Sequence, residues 1–241
     1  LAAADGGKDE AAGLEAEAGE LERELAATAG ELSRQRQAAA VRLARAVTRD
    51  LHRMLMPGAE FSVRIWQAED GTGLTAEDGR RLAIGESGFD RVAFDLAANP
   101  GDPLRPLAEI ASGGELSRVA LALLAQLSRE SGVGSVVFDE IDQGLGGEAA
   151  NRVGEVMRQV AAHRQVICIT HLAPIAARAE THLVVSKEER EGRSLSQIAP
   201  VSGQERVAEL ARLLAGEATP DAARAHAAEL LAAVGGLPGQ G

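Results

Sequence analysis

The sequence predicts an α/β lobe with a mostly parallel sheet, carried on one long coiled-coil helix. Three observations predict it. A run rich in Ala, Glu, Arg and Leu extends without proline from about Lys8 to Met56. Further on, short apolar strands without alternation are separated by helical stretches, the pattern of a parallel sheet covered on both faces. One of those strands ends in two adjacent carboxylates, at the edge where open α/β sheets place their ligands.

In the first run, Leu14, Ala18, Leu21, Leu25, Thr28 and Leu32 step by four and three residues in turn. That is the a/d seam of a coiled coil, clean over about three heptads. Acidic residues (Glu15, Glu17, Glu20, Glu22, Glu24) precede basic ones (Arg34, Arg36, Arg42, Arg45, Arg49), an order that suits a helix macrodipole. Val41, Leu43, Val47, Leu51 and Leu55 continue as an ordinary amphipathic stripe until Met56-Pro57-Gly58 stops the helix. A single solvated helix would read the same way, but the abrupt stop favours an arm entering a globular head. The seam needs a partner helix. These features divide the chain into an arm over 1–57, a lobe over 58–234 and a glycine-rich tail over 235–241 that should be disordered.

Within the lobe, Phe61, Val63 and Ile65 alternate with polar neighbours as a strand, and Val92, Phe94 and Leu96 do so again. Asp70-Gly-Thr-Gly73 reads as a turn. A regular succession follows: helix from Leu116 to Arg129, buried strand Ser135–Phe138, helix Ala149–His163, strand Val166–Thr170, short helix Pro174–Ala179 and strand Leu183–Ser186. Glu188 to Arg193 reads as a charged turn, and two helices follow. The second opens on Thr219-Pro220-Asp221, a cap with proline at the first helical position.

Aromatic residues make up 2% of the chain, with no Tyr and one Trp, so Leu, Val, Ile and Ala must build the core. The single cysteine, Cys168, excludes an intrachain disulfide and fits a reducing cytoplasm. No apolar run reaches the roughly 20 residues of a membrane-spanning helix, so no membrane partner is expected. A net charge of −11 argues against a generally basic nucleic-acid-coating domain.

Three motifs carry chemistry. Ser112-Gly113-Gly114-Glu115 precedes a helix. Ser and Glu three apart form a capping box, but the two glycines between them would also bare the backbone N–H groups that bind anions at a helix N-terminus. Val136-Val137-Phe138-Asp139-Glu140 delivers two carboxylates at a strand end. One carboxylate suits a magnesium ion, and the other suits a general base or water-orienting group. His171 follows the neighbouring strand on the same sheet edge, so the three motifs converge on one crevice. His52, His163, His182 and His226 show no metal-ligand spacing. No Gly-x-Ser-x-Gly elbow supports a serine hydrolase.

Taken together, these residues resemble the ABC ATPases: Ser112 to Glu115 their signature loop, Val136 to Glu140 their Walker B strand, Asp142 to Gly147 their D-loop and His171 their switch histidine. More narrowly, Met56-Pro-Gly-Ala59, Asn99-Pro-Gly-Asp-Pro-Leu104, Ile110 to Arg118, Phe138-Asp-Glu-Ile-Asp142 and Ile169-Thr-His-Leu172 are similar to the RecN family. That family belongs with the SMC-like proteins that act at DNA double-strand breaks. The resemblance implies the C-terminal lobe of an ABC/SMC-type P-loop ATPase head, with ATP and Mg2+ as cofactors. It implies that Asp139 meets Mg2+, Glu140 polarises water and His171 senses the γ-phosphate. Ser112, Gly113, Gly114, Glu115 and Asp142 would contact nucleotide. The chain contains no Gly-x-x-x-x-Gly-Lys-Ser/Thr. The resemblance implies as partners an N-terminal lobe carrying that loop, an antiparallel helix for the coiled-coil seam, a second head in an ATP-sandwiched homodimer, and DNA through the full protein. A bacterial, nucleoid-associated location follows from the same resemblance. Family members usually carry Ser where this chain has Gly146, which removes a hydroxyl contact there. Rival readings are a non-enzymatic coiled-coil tether, which leaves Asp139-Glu140 without a role, and another SMC-like head, which the Asn99-Pro-Gly-Asp-Pro run disfavours.

Overall fold

In the computed structural model, the described residues are 2–110, 112–127, 134–190, 193–216 and 220–235. The predicted tail beyond Gly235, the helix end at Arg129 and the Thr219 cap lie outside them. The chain divides into two compact units: Leu1–Thr48, Glu60–Ala97 and Gly101–Glu109 form one, and Arg49–Ala59, Ala98–Pro100 and Ile110–Gly241 the other.

In the first unit, the helix α1 (Ala2–Arg53) contributes all but its last turns. The proline-free sequence permits this length. Leu14, Leu21 and Leu25 of the predicted seam are exposed, so the seam is unpaired within the described residues. A different face of α1 is buried: Ala26 and Ala29 pack with Leu82 and Phe89. Ser33 on that face donates to Asp90 Oδ1 at 2.8 Å. Strand β1 (Glu60–Gln67) pairs antiparallel with β4 (Asp90–Ala97), Phe61 opposite Leu96 and Gln67 opposite Asp90. Both strands fall where the alternation puts them. Residues Glu69–Thr75, read from sequence as containing a turn at Asp70–Gly73, instead form β2, which pairs with β3 (Arg81–Leu82) through an irregular register. The turn signal is real locally, since Asp70 Oδ1 accepts from the Thr72 N–H at 2.8 Å. Pairing with β3 overrides it, and Gly73 is needed there because a Cβ would collide with the Leu82 carbonyl. A short β5 (Arg105–Pro106) flanks β4.

The second unit opens on the end of α1. The helix stops at Arg53, Leu55 takes a left-handed backbone (φ 57°), and the Met56 N–H returns to the Leu51 carbonyl. Gly58 faces the Pro100 ring so closely that a Cβ would overlap it. There follow α2 (Gly113–Gln126), β6 (Ser135–Phe138), α3 (Gly147–Ala161), β7 (Gln165–Cys168), α4 (Ala173–Ala176), β8 (His182–Arg190), β9 (Arg193–Val201), α5 (Gly203–Ala215) and α6 (Asp221–Ala233). Pro220 stands just outside α6 as its N-cap, one position earlier than expected. Val119, Leu121 and Ala122 of α2, Val153, Val156 and Val160 of α3, and Ile141 are buried; Leu210, Ala227 and Leu231 of α5 and α6 form a core with Ala173 and Ala177.

Parallel pairing is present between β6 and β7, with Phe138 opposite Cys168. The expectation of a sheet covered on both faces needs correction. Val137, Ile167 and Ile169 are 60%, 46% and 58% exposed, because no described element packs on their side. The predicted charged turn at Glu188–Arg193 is also corrected: Glu188–Arg190 and Arg193 belong to the antiparallel hairpin β8–β9. The run Lys187-Glu-Glu-Arg-Glu-Gly-Arg193 holds no apolar residue, so the sequence there shows nothing of the strand ends.

Candidate functional site

Three segments of the second unit meet at the C-terminal ends of β6 and β7. The first is the start of α2. Ser112 is its N-cap, with extended backbone, and Ser112 Oγ accepts from the Glu115 N–H at 3.4 Å. Half of the capping box is therefore formed, which satisfies one donor of the first turn. The glycines answer to packing as well. A Cβ at Gly113 would lie 3.0 Å from Glu140 Oε2, and one at Gly114 would lie 3.3 Å from Arg118 Nη1. The Glu140 carboxylate thus rests against the first turn of α2, where the helix dipole favours negative charge.

The second segment leaves β6 at Phe138. Asp139 and Glu140 are both exposed. The Glu140 N–H donates to Asp139 Oδ1 at 2.9 Å, and Ser117 Oγ of α2 donates to the Asp139 carbonyl at 3.3 Å. Glu140 has φ 57°, a left-handed conformation that costs a non-glycine residue about 1 kcal/mol. The chain then turns tightly, with Gln143 N–H donating to the Glu140 carbonyl and Leu145 N–H to the Asp142 carbonyl. Arg118, buried on α2, donates from Nη1 to the carbonyls of Ile141 and Gln143, each at 3.3 Å.

The third segment follows β7. The Ile169 N–H donates to the Phe138 carbonyl at 2.9 Å, which carries the parallel pairing one step further and sets Thr170 and His171 beside the turn. Asp142, only 5% exposed, receives three donors on Oδ2: Thr170 Oγ1 at 2.6 Å, the His171 N–H at 2.9 Å and His171 Nδ1 at 3.0 Å. A ring nitrogen beside a carboxylate acceptor is the one that carries hydrogen, so Nδ1–H faces Asp142 and Nε2 faces away. The His171 ring is largely exposed.

The structure therefore links Gly113, Gly114, Asp139, Glu140, Asp142 and His171 through direct contacts, with Ser112 and Glu115 closing the cap. Asp142 enters as an internal tie, its carboxylate turned to His171 and Thr170. Two members were not singled out from sequence. Thr170 completes the Asp142 tie, and Arg118 binds the turn. Arg118 had a legible signal, because Gly114, Arg118 and Ala122 fall four apart on the buried stripe of α2, an odd place for a cation. Cys168 ends β7, and burial, then the Asp142 and Asp139 carboxylates, push its thiol up to about 12. Among the described residues no three His, Cys, Asp or Glu side chains cluster to cage a metal. A single exposed carboxylate such as Asp139 can supply one ligand to a hydrated magnesium ion.

The second unit is thus an α/β lobe with these loops gathered at one sheet edge. The chain belongs to the RecN family. It is 47% identical over 183 residues to DNA repair protein RecN of Treponema pallidum, covering 76% of this chain and 31% of that protein. It is 40% identical over 194 residues to that of Bacillus subtilis (79% and 33%), and 42% identical over 238 residues to that of Mycobacterium tuberculosis strain CDC 1551 (96% and 40%). The chain spans about a third of the length of these relatives. No family model matches it. Among solved structures, the Smc head domain with a coiled coil and joint from Pyrococcus yayanosii aligns with a TM-score of 0.49 and 21% identity, over 73% of this chain and 29% of that one.

Proposed function

We propose that this chain supplies the C-terminal lobe of a composite ATPase head that acts in DNA double-strand break repair. The observation that carries the reading is the contact between the α2 N-terminus and the Asp139-Glu140 turn, itself tied through Asp142 to His171. A helix cap, a carboxylate pair and a histidine with an outward Nε2 make the components of phosphoryl transfer to water.

In this reading an N-terminal lobe bearing the phosphate-binding loop completes the head, so the chain alone binds ATP weakly and does not hydrolyse it. Asp139 would hold Mg2+, which supplies neutralising charge on the phosphates. Glu140 orients water and accepts its proton, and His171, aligned by Asp142, contacts the γ-phosphate through Nε2. Ser112, Gly113, Gly114 and Glu115 present the α2 N-terminus to nucleotide held by a second head, so ATP joins two heads in a homodimer. The exposed leucine seam of α1 receives an antiparallel helix, and DNA is engaged by the full protein. The homology to DNA repair proteins favours this over a coiled-coil tether, in which the carboxylates have no task.

Sedimentation of the full-length protein with ATP tests the pairing step. Ser112→Arg should abolish the ATP-induced dimer while ATP binding to one head stays intact. A full ATP-induced dimer in that variant would reduce the loop to a helix cap.

A further inference from the structure

Arg118 sits on α2, six residues after the Ser112 cap, and is 8% exposed. Among the described residues no carboxylate hydrogen-bonds to it. Its Nη1 donates to the Ile141 and Gln143 carbonyls, and its Nε lies 3.3 Å from Met56 Sδ at the exit of α1. Burial lowers its pKa against a smaller opposing pull from Glu115. A guanidinium desolvated in this way is costly, so its partners must repay the burial.

Those partners follow a pattern. The tight turn has four carbonyls in succession. Those of Glu140 and Asp142 accept from the turn's own N–H groups, of Gln143 and Leu145. Those of Ile141 and Gln143, the alternate pair, accept from Arg118. All four are thereby held, and the turn begins at Glu140, whose left-handed backbone persists only if its surroundings over-determine it. Gly114 is part of the same arrangement. A side chain there would press on both Arg118 Nη1, at 3.3 Å, and Gln143 Cβ, at 3.3 Å.

We propose that Arg118 is a positioning residue that clamps the Glu140–Gln143 turn from the α2 side and so holds Glu140 in its left-handed conformation. The clamp sets the Glu140 carboxylate against Gly113 and the Asp142 carboxylate toward His171, keeping the water-activating group in register with the helix that reads the second nucleotide. This deepens the ATPase reading and rests on it for its catalytic consequence, but the clamp itself is a property of the backbone.

The test uses the full-length protein that carries this chain, with Arg118→Met, Arg118→Lys, and Arg118→Met placed on Glu140→Gly. Arg118→Met should speed amide exchange at Ile141 to Leu145 by about tenfold or more, with Val153 to Val160 of α3 unchanged. Arg118→Lys, which keeps one donor group, should recover part of the protection. On Glu140→Gly the exchange effect should shrink, because glycine adopts a positive φ without strain. In the hydrolysis assay, Arg118→Met should lower kcat by about tenfold with KM for ATP within about threefold. Unchanged exchange at the turn, or exchange raised equally through α3, would overturn the clamp. A localised exchange effect with unaltered kcat would overturn its positioning role. A parent protein without magnesium-dependent hydrolysis would instead overturn the ATPase reading, and the exchange measurements would still decide the clamp.

Discussion

Replacing Asp142 by Asn removes one charge and almost no volume from the point where three donors meet one oxygen. Hydrogen bonds to a charged acceptor contribute about 1.5–3 kcal/mol, and neutral ones about 0.5–1.5, so each retained bond should weaken by about 1 kcal/mol. The His171 ring is solvent-exposed and its contact is screened, so it adds only a few tenths of a kcal/mol. Thr170 Oγ1 and the His171 N–H dominate, and Asp142→Asn should cost about 2 kcal/mol. Asp142→Ala leaves both donors without an acceptor in a half-buried setting and should cost about 3–5 kcal/mol. Urea denaturation followed by near-ultraviolet signal reads both values as midpoint shifts at unchanged slope. A double-mutant cycle with Thr170→Val should return a coupling of about 1–2 kcal/mol. Equal losses for Asn and Ala, or no coupling to Thr170, would refute the claim that charge at Asp142 organises the His171 loop.

Other consequences follow from the same geometry. With its thiol raised to about 12, Cys168 should react with iodoacetamide at pH 8 about a thousandfold more slowly than an open thiol. Asp142→Asn should quicken it, and native labelling at the unfolded rate would contradict the burial. His182, half-buried at the start of β8, has its pKa lowered by burial and then by Arg206, against Glu209. Its folded value lies below its unfolded 6.5, so the unfolded state binds more protons, and stability is lost as pH falls from 6.5 toward the folded value. His182→Gln should flatten the denaturation midpoint across that window; an unchanged slope would remove His182 from the acid response. Gly58→Ala should cost at least about 2 kcal/mol, because its Cβ overlaps the Pro100 ring and backbone nitrogen. A melting temperature equal to the parent's would show that the 98–100 segment yields freely.

The elements legible in the sequence were those whose burial writes a period. Phe61, Val63 and Ile65 announced β1, and Val153, Val156 and Val160 follow the helical spacing of α3. Where pairing partners supply the stability, the sequence stays silent or misleads. Asp70-Gly-Thr-Gly73 has turn composition and still forms β2, held by β3 across an irregular register. Glu188 to Arg193 has the charge of a turn, yet its ends pair within β8 and β9. Apolar Val137, Ile167 and Ile169 implied two covered faces, yet composition records only that a residue can be buried, and among the described residues nothing covers these three. The site divides in the same way. Ser112 to Glu115, Asp139, Glu140 and His171 stand in short local motifs. The Asp142 tie to Thr170 joins residues 28 positions apart, and the Arg118 hold on the turn joins residues 23 to 25 apart. Only the pairing of β6 with β7 and the packing of α2 create those contacts.

In the proposed head, Asp139 and Glu140, adjacent in the chain, do different work on one nucleotide, and ATP retention and single-turnover hydrolysis measured side by side separate the two roles. In the full-length protein, Glu140→Gln should retain ATP and stabilise the paired heads while hydrolysis falls by about a thousandfold, since the amide keeps the shape and loses the base. Asp139→Asn should instead weaken magnesium-dependent ATP binding, because the proposed magnesium ligand loses its charge. Opposite effects on nucleotide occupancy are the predicted result. If Glu140→Gln hydrolyses ATP at close to the parent rate, or the two variants lose occupancy alike, the carboxylate pair is merely an acidic turn.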